Sequence, residues 1–128
     1  MDYEGVIIEE SLEDASVLGS LEVLDTHVEP ITPEHRTPWL GQWTLHKVRI
    51  PEARAHDVAE ALSKALDGDH PASWYADFKN DTHHYVVYRG RVFLIDRRDA
   101  AQYAEAADYG ISHGLPEHQA DFVALLDG

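Results

Sequence analysis

The segment between Pro51 and Gly68 constrains the fold of this chain most, because its pattern fits only a helix. Its apolar residues recur at intervals of three and four, so they line one side of about four helical turns. Proline suits the first helical position, and glycine commonly ends a helix. A helix with one apolar side must bury that side against a second layer. The apolar side consists of Ala55, Val58, Ala59, Leu62, Ala65 and Leu66.

A second helix is predicted after Asp99, which suits an N-cap and has Gln102 three residues later, as in a capping box. The residues on its apolar side are mostly small, so this helix is expected to lie close to a sheet. They are Ala100, Tyr103, Ala104, Ala107 and Ile111. Shorter helices are predicted from Ser11, over one or two turns, and from Leu115 to near Leu126.

Six segments have the alternation and the β-branched or aromatic content of strands. They are residues 3–10, 21–31, 43–50, 74–78, 84–88 and 91–95. Gly90 gives the last two a tight turn, and most connections are too short for repeated crossovers between parallel strands. The sequence therefore predicts an α+β fold. We expect a largely antiparallel sheet of five to six strands with two main helices packed on one face, partly ferredoxin-like.

The length and charge of the chain limit what it binds. Its 128 residues suit a single domain, residues 1–128, and 24 acidic residues against 10 basic ones give a net charge of −14. Such a surface repels phosphate backbones and anionic lipids, so neither nucleic acid nor membrane is expected as a partner. One candidate basic patch is expected to flank a hairpin and pair with Asp96 and Asp99. It consists of Arg89, Arg91, Arg97 and Arg98.

The chain contains no cysteine, which excludes disulfides, a thiolate nucleophile and Cys-based metal centres. The residues after Met1 lack the basic and apolar regions of a signal peptide. No apolar run is long enough to cross a bilayer. A soluble, cytoplasmic protein is expected.

Residues 110–114 match the pattern G-x-S-x-G, in which Ser112 would be a hydrolase nucleophile. That chemistry requires the serine on a sharp turn from a strand into a helix, with an acid and a histidine after it. Here the motif follows a predicted helix and few residues remain, so glycines ending a helix are the preferred interpretation.

The nine histidines raise the question of a metal site, but their spacing does not satisfy the rules for one. His83 and His84 are adjacent in a predicted strand and therefore face opposite sides. Asp67-Gly68-Asp69 begins like a calcium loop, yet Phe78 stands where the bidentate glutamate belongs. No metal and no cofactor are expected.

The most informative group is a set of aromatic and polar residues on predicted strands. If those strands are neighbours, the set has the composition of a small-ligand pocket, and Asp77 beside His84 could act as an acid/base pair. In the alternative, the tryptophans and His46 belong to the core, while Asp77 and Asn80 build a turn. The candidate pocket consists of Trp39, Trp43, His46, Asp77, Asn80, His84 and Tyr85.

Three segments carry a family resemblance: TPWLGQWTLH at residues 37–46, WYADFKN at 74–80, and YGI with GLP at 109–116. With them, nearly the whole chain resembles an uncharacterised family of small bacterial and archaeal proteins. The resemblance implies a compact domain that forms a protein by itself. It implies no activity and no catalytic residue.

Two functions follow from these patterns. The first is a non-catalytic binding or regulatory module for a small polar ligand or a protein partner. The alternative is a small enzyme, possibly metal-dependent, that uses Asp77, His84 and His46. We favour the first, because no group of residues meets the geometric requirements of an active site.

Overall fold

The computed structural model describes residues 1–32, 40–68 and 74–113. Six strands form one sheet in the order β2-β3-β1-β4-β5-β6, and every neighbouring pair is antiparallel. The strands are β1 (Tyr3–Ile8), β2 (Glu22–Pro30), β3 (Gln42–Ile50), β4 (Ala76–Lys79), β5 (His83–Tyr88) and β6 (Arg91–Asp96), and the helices are α1 (Ala55–Ala65) and α2 (Ala100–Ser112). The predicted α+β class and the antiparallel sheet are confirmed.

The central strand is β1, which pairs with β3 on one side and β4 on the other. Because both neighbours are antiparallel to β1, they run parallel to each other, and α1 lies between them in the chain. A helical crossover around an inserted strand is the split βαβ unit of ferredoxin-like folds. The strands that carry Trp43 and Asp77 are therefore separated by β1 and are not neighbours.

The two helices lie on opposite faces of the sheet, so the prediction that both pack on one face is wrong. Tyr85 and Val87 of β5 belong to the buried cluster that contains α1, whereas Val86 and Tyr88 belong to the cluster that contains α2. Successive strand residues point to opposite faces, so β5 is covered on both sides. Its nearly continuous apolar sequence is typical of such a strand.

The cluster beneath α1 is the larger of the two and spans β1, β3, β4 and β5. It buries Tyr3, Ile7, Val48, Ile50, Ala55, Val58, Ala59, Leu62, Leu66, Trp74, Ala76, Phe78, Tyr85 and Val87. The cluster beneath α2 buries Val86, Tyr88, Phe93, Ile95, Tyr103 and Ala106. Neither cluster includes a residue of β2.

Local capping differs from the prediction at two places. Ser11 does not begin a helix; Asp14 does, accepting from Ser16 N at 3.0 Å at the start of the 3-10 turn Ala15–Ser20. Asp99 caps α2 as expected, but the Gln102 side chain accepts from Asp96 N at 2.6 Å. The short helix predicted after residue 114 lies outside the described residues.

The contact between β1 and β4 requires glycine at position 5. A Cβ atom built on Gly5 would lie 2.3 Å from the carbonyl oxygen of Asp77 and 2.7 Å from the Cβ of Phe78. Two of the nearest atoms are backbone atoms of β4, which cannot move without displacing the strand. Glycine at this position therefore lets the two central strands approach each other.

We expect Gly5→Ala to lower the free energy of unfolding by about 3 kcal/mol or more, because the methyl group overlaps the β4 backbone. Urea denaturation would measure the change. Gly19→Ala is the matched control, since a Cβ at Gly19 meets nothing within 4 Å. Equal stability of the two variants would contradict this account of the sheet.

Candidate functional site

The predicted pocket residues do not converge on one cavity. Trp39 lies outside the described residues. Asn80 lies in a turn and Tyr85 lies in the core. The other four residues lie in three separate places. These are the Trp43–Trp74 pair, the surroundings of His46, and the Asp77–His84 pair.

Asn80 builds the turn between β4 and β5. Its Oδ1 accepts from the main-chain N–H groups of Thr82 and His83 at 3.0 and 2.8 Å, and its Nδ2 donates to the Met1 carbonyl at 3.1 Å. Tyr85 is buried on the α1 side of the sheet, with its ring 5.4 Å from that of Tyr3. Both residues therefore serve the fold.

Trp43 and Trp74 are in contact, with ring centroids 5.5 Å apart. Trp74 is buried, whereas Trp43 is half-buried at the start of β3. The indole Nε1 of Trp74 has no hydrogen-bond partner among the described residues. A buried donor without an acceptor is unusual in proteins and makes this pair a candidate contact for a polar group.

His46 lies on β3 between two polar neighbours. Its Nδ1 is 2.9 Å from the Thr26 hydroxyl, and its Nε2 is 3.1 Å from a carboxylate oxygen of Glu9. The contact with Thr26 joins β2 to β3 through side chains as well as through the main chain. His46 is thus neither a core histidine nor a neighbour of His84.

Asp77 and His84 form a hydrogen-bonded pair on the α2 side of the sheet, as the acid/base hypothesis requires. Asp77 Oδ2 is 2.7 Å from His84 Nε2, and His84 Nδ1 is 3.1 Å from the Tyr103 hydroxyl. His84 is 0% exposed, and the Asp77 side chain is 27% exposed. Only the aspartate end of this network reaches solvent.

Burial raises the pKa of the Tyr103 hydroxyl, and nearby Arg97 lowers it in part. The hydroxyl therefore keeps its proton at neutral pH. In the ring tautomer that carries its proton on Nε2, Nδ1 of His84 accepts from this hydroxyl and Nε2 donates to the Asp77 carboxylate. Both ring nitrogens therefore form hydrogen bonds within the protein, and the buried imidazole has no unpaired polar atom.

The G-x-S-x-G serine lies at the end of a helix, as preferred from the sequence. Ser112 is the last residue of α2, and its hydroxyl donates to the carbonyl of Tyr109 at 2.9 Å. Gly114 lies outside the described residues. A nucleophile elbow requires a turn from a strand into a helix, which this position does not provide.

The four arginines of the candidate basic patch each contact a polar group. Arg98 and Arg91 approach Asp96 and Glu105 at 3.4 and 4.0 Å. Arg97 donates to the Asn80 carbonyl, and Arg89 donates to Glu13 at 2.6 Å and to two carbonyls at the end of α1. The expected pairing with Asp96 is therefore confirmed for Arg98, while Arg89 fastens the β5–β6 turn to α1.

Within the part of the chain that the structure describes, no three His, Asp or Glu side chains are arranged to hold a metal ion. Neither described α-helix is both long and apolar enough to cross a membrane.

The feature that the site prediction missed is the edge strand β2. Every one of its nine residues is exposed except Glu29, which is half-buried. On one side it pairs with β3, and no other described strand pairs with its outer edge. The signal in the sequence was the weak apolar pattern of this segment, whose only apolar side chains apart from Pro30 are those of Val23, Leu24 and Val28.

The centre of the β2 edge has a distinctive hydrogen bond. The main-chain N–H of Thr26 donates to the carboxylate of Asp25 at 2.9 Å. An N–H group points in one direction, so we infer that this donor faces away from β3 and towards the open edge. The only irregularity in the β2–β3 register lies on the other side of Asp25, between Val23 and Asp25.

The sheet face near β2 that α2 does not cover carries charges of alternating sign. One row of paired residues crosses four neighbouring strands. In strand order it consists of Glu22 (β2), Arg49 (β3), Glu4 (β1) and Lys79 (β4). Opposite charges in neighbouring strands attract each other, so this row stabilises the register. The face belongs to the exposed side of an antiparallel sheet.

Comparison of the chain with family models, with curated proteins and with solved structures gives no match. The resemblance to a family of small bacterial and archaeal proteins stays a prediction.

We expect Tyr103→Phe to lower the free energy of unfolding by about 1–2 kcal/mol, because Nδ1 of buried His84 loses its hydrogen-bond partner. Thermal or urea denaturation would measure the change. Tyr109→Phe serves as the control, since the Tyr109 hydroxyl has no hydrogen bond to any described residue. An unchanged stability of Tyr103→Phe would mean that the hydroxyl does not satisfy His84.

Proposed function

We propose that this chain is a non-catalytic binding module that docks an extended segment of a protein partner along the outer edge of β2, with which no other described strand pairs. The observation that supports the proposal most is the exposure of eight of the nine residues of β2. Proteins normally shorten, cover or charge such edges, because an open edge pairs with other chains. Pairing of a peptide with a sheet edge is a common recognition mode.

The other edge of the sheet is less suited to this role. Strand β6 has six residues, and its Phe93 and Ile95 are buried under α2. In β2, by contrast, Val23 and Val28 are 43% and 50% exposed and can pack against an added strand. The longer edge thus offers both main-chain groups and apolar side chains.

The expected affinity is modest. Each main-chain hydrogen bond contributes about 0.5–1.5 kcal/mol net, and the ordering of a flexible partner opposes binding. A few such bonds with two valine contacts correspond to dissociation constants in the micromolar to millimolar range. Strand addition of this kind suits reversible association.

The geometry gives the enzyme alternative less support. General acid/base catalysis requires a nitrogen or oxygen within reach of the substrate proton. His84 is 0% exposed and uses both ring nitrogens within the protein. The Asp77 carboxylate is only partly exposed and is hydrogen-bonded to His84, whose ring substrate cannot reach.

The small-ligand alternative is favoured by one observation: the Nε1–H of Trp74, beside Trp43, has no hydrogen-bond partner in the described part of the chain. A carbonyl or carboxylate oxygen would accept from this donor. If such a ligand binds, a metabolite panel should contain compounds that raise the melting temperature. Trp43→Ala should abolish that rise, and a rise that persists in this variant would place the ligand elsewhere.

For strand addition, the decisive variant is Thr26→Pro. Proline removes the N–H at the centre of the outer edge, and edge strands tolerate proline. Because that N–H donates to Asp25, its loss should leave the fold intact, with stability changed by about 1 kcal/mol or less. Peptides selected from a displayed random library against the whole chain should then lose at least tenfold in affinity, about 1.4 kcal/mol.

Thr26→Val is the matched control, since it loses the same contact with His46 but keeps the main-chain N–H. Selected peptides should bind Thr26→Val as they bind the parent chain. Circular dichroism and urea denaturation would verify that both variants fold. Peptides that bind Thr26→Pro undiminished would show that β2 is not the docking edge.

A further inference from the structure

Resting on the proposed function, we infer that the partner of β2 is a basic segment whose alternate side chains are lysine or arginine and whose intervening side chains are aliphatic. The inference comes from the register of β2, from the charge of the chain and from the hydrogen bond of Asp25.

The register with β3 assigns the side chains of β2 to two faces. Those opposite Arg49, Lys47 and Leu45 lie on the face away from α1, and those opposite Val48, His46 and Thr44 lie on the α1 side. The first group consists of Glu22, Asp25 and His27, and the second consists of Val23, Thr26 and Val28. One face of the edge therefore presents two carboxylates, and the other presents two valines and a threonine.

A strand added to this edge places its side chains directly beside those of β2. Residues opposite each other lie on the same face, so the two faces of β2 select different residue types in the partner. Lysine or arginine matches the carboxylate face, and valine or isoleucine matches the valine face. Because side chains alternate along a strand, the partner must alternate basic and aliphatic residues.

The charge of the whole chain favours the same partner. A net charge of −14 attracts a basic segment from solution and repels an acidic one. It also repels a second copy of the chain, whose own β2 would bring its carboxylates to the shared edge. A copy of this chain is therefore a weaker candidate than a basic segment.

Asp25 links the charge of the partner to the opening of the edge. Its carboxylate accepts from the N–H of Thr26 and so occupies the donor that a new strand needs. A basic side chain opposite Asp25 offers the carboxylate an alternative partner, after which the N–H can donate to a carbonyl of the added strand. A neutral or acidic strand provides no such exchange.

The test uses three synthetic peptides and the full chain. One alternates lysine with valine, a second has the same composition with all lysines before all valines, and a third alternates glutamate with valine. Isothermal titration calorimetry should detect binding of the first peptide but not of the second or the third. Its association constant should rise about tenfold or more when salt falls from about 0.5 M to about 0.05 M.

Two pairs of variants separate strand addition from general attraction to an acidic protein. Thr26→Pro leaves the charge unchanged and should weaken the alternating basic peptide at least tenfold, whereas Thr26→Val should not. Asp25→Asn should weaken it severalfold. Asp108→Asn, which removes the same charge from an exposed position on α2, should change the affinity by less than twofold.

Three results would overturn the inference, and they differ in what else they overturn. If Thr26→Pro binds the alternating basic peptide as well as the parent chain does, neither the basic partner nor strand addition at β2 stands. If the glutamate-valine peptide binds equally well and Thr26→Pro weakens it, strand addition stands and the basic partner is wrong. If sedimentation shows a dimer that strengthens with salt and is lost in Thr26→Pro, the occupant is a second copy.

Discussion

The close approach of β1 and β4 at Gly5 is the contact on which the rest of the sheet depends. A Cβ on Gly5 would lie within 3 Å of three β4 atoms, so the two strands can pair only because that side chain is missing. This pairing joins the three strands before α1 to the three strands after it. The residues before α1 and those after it thus form one sheet and share the cluster beneath α1.

The sequence predicted the elements well, because helix and strand periodicity is local. The helix over Ala55–Ala65 and the hairpin around Gly90 are found within a few residues of their predicted bounds. Strand order was not predictable in this way, because a local pattern does not say which distant strand is the neighbour. The position of β1 between β3 and β4 could not be predicted for this reason, since both neighbours are distant from β1 in the sequence.

The same limit explains the outcome for the candidate site. The contacts Trp43–Trp74 and Asp77–His84 were within reach of the sequence, since each requires only that aromatic or polar residues on strands meet. The sequence did not predict the face of the sheet on which each contact lies, because the two helices were expected on one side. The sign available in the sequence that β5 is covered on both faces was the continuous apolar run from Tyr85 to Tyr88.

The isolation of β2 from both buried clusters has a consequence for how the chain can change over time. Substitutions in the core alter packing and are costly, but no β2 side chain belongs to either cluster, so substitutions at its exposed positions cost less stability. If β2 is the docking edge, partner preference and core packing are encoded in separate segments. Substitutions within these nine positions could then change the partner while the remaining sheet keeps its sequence.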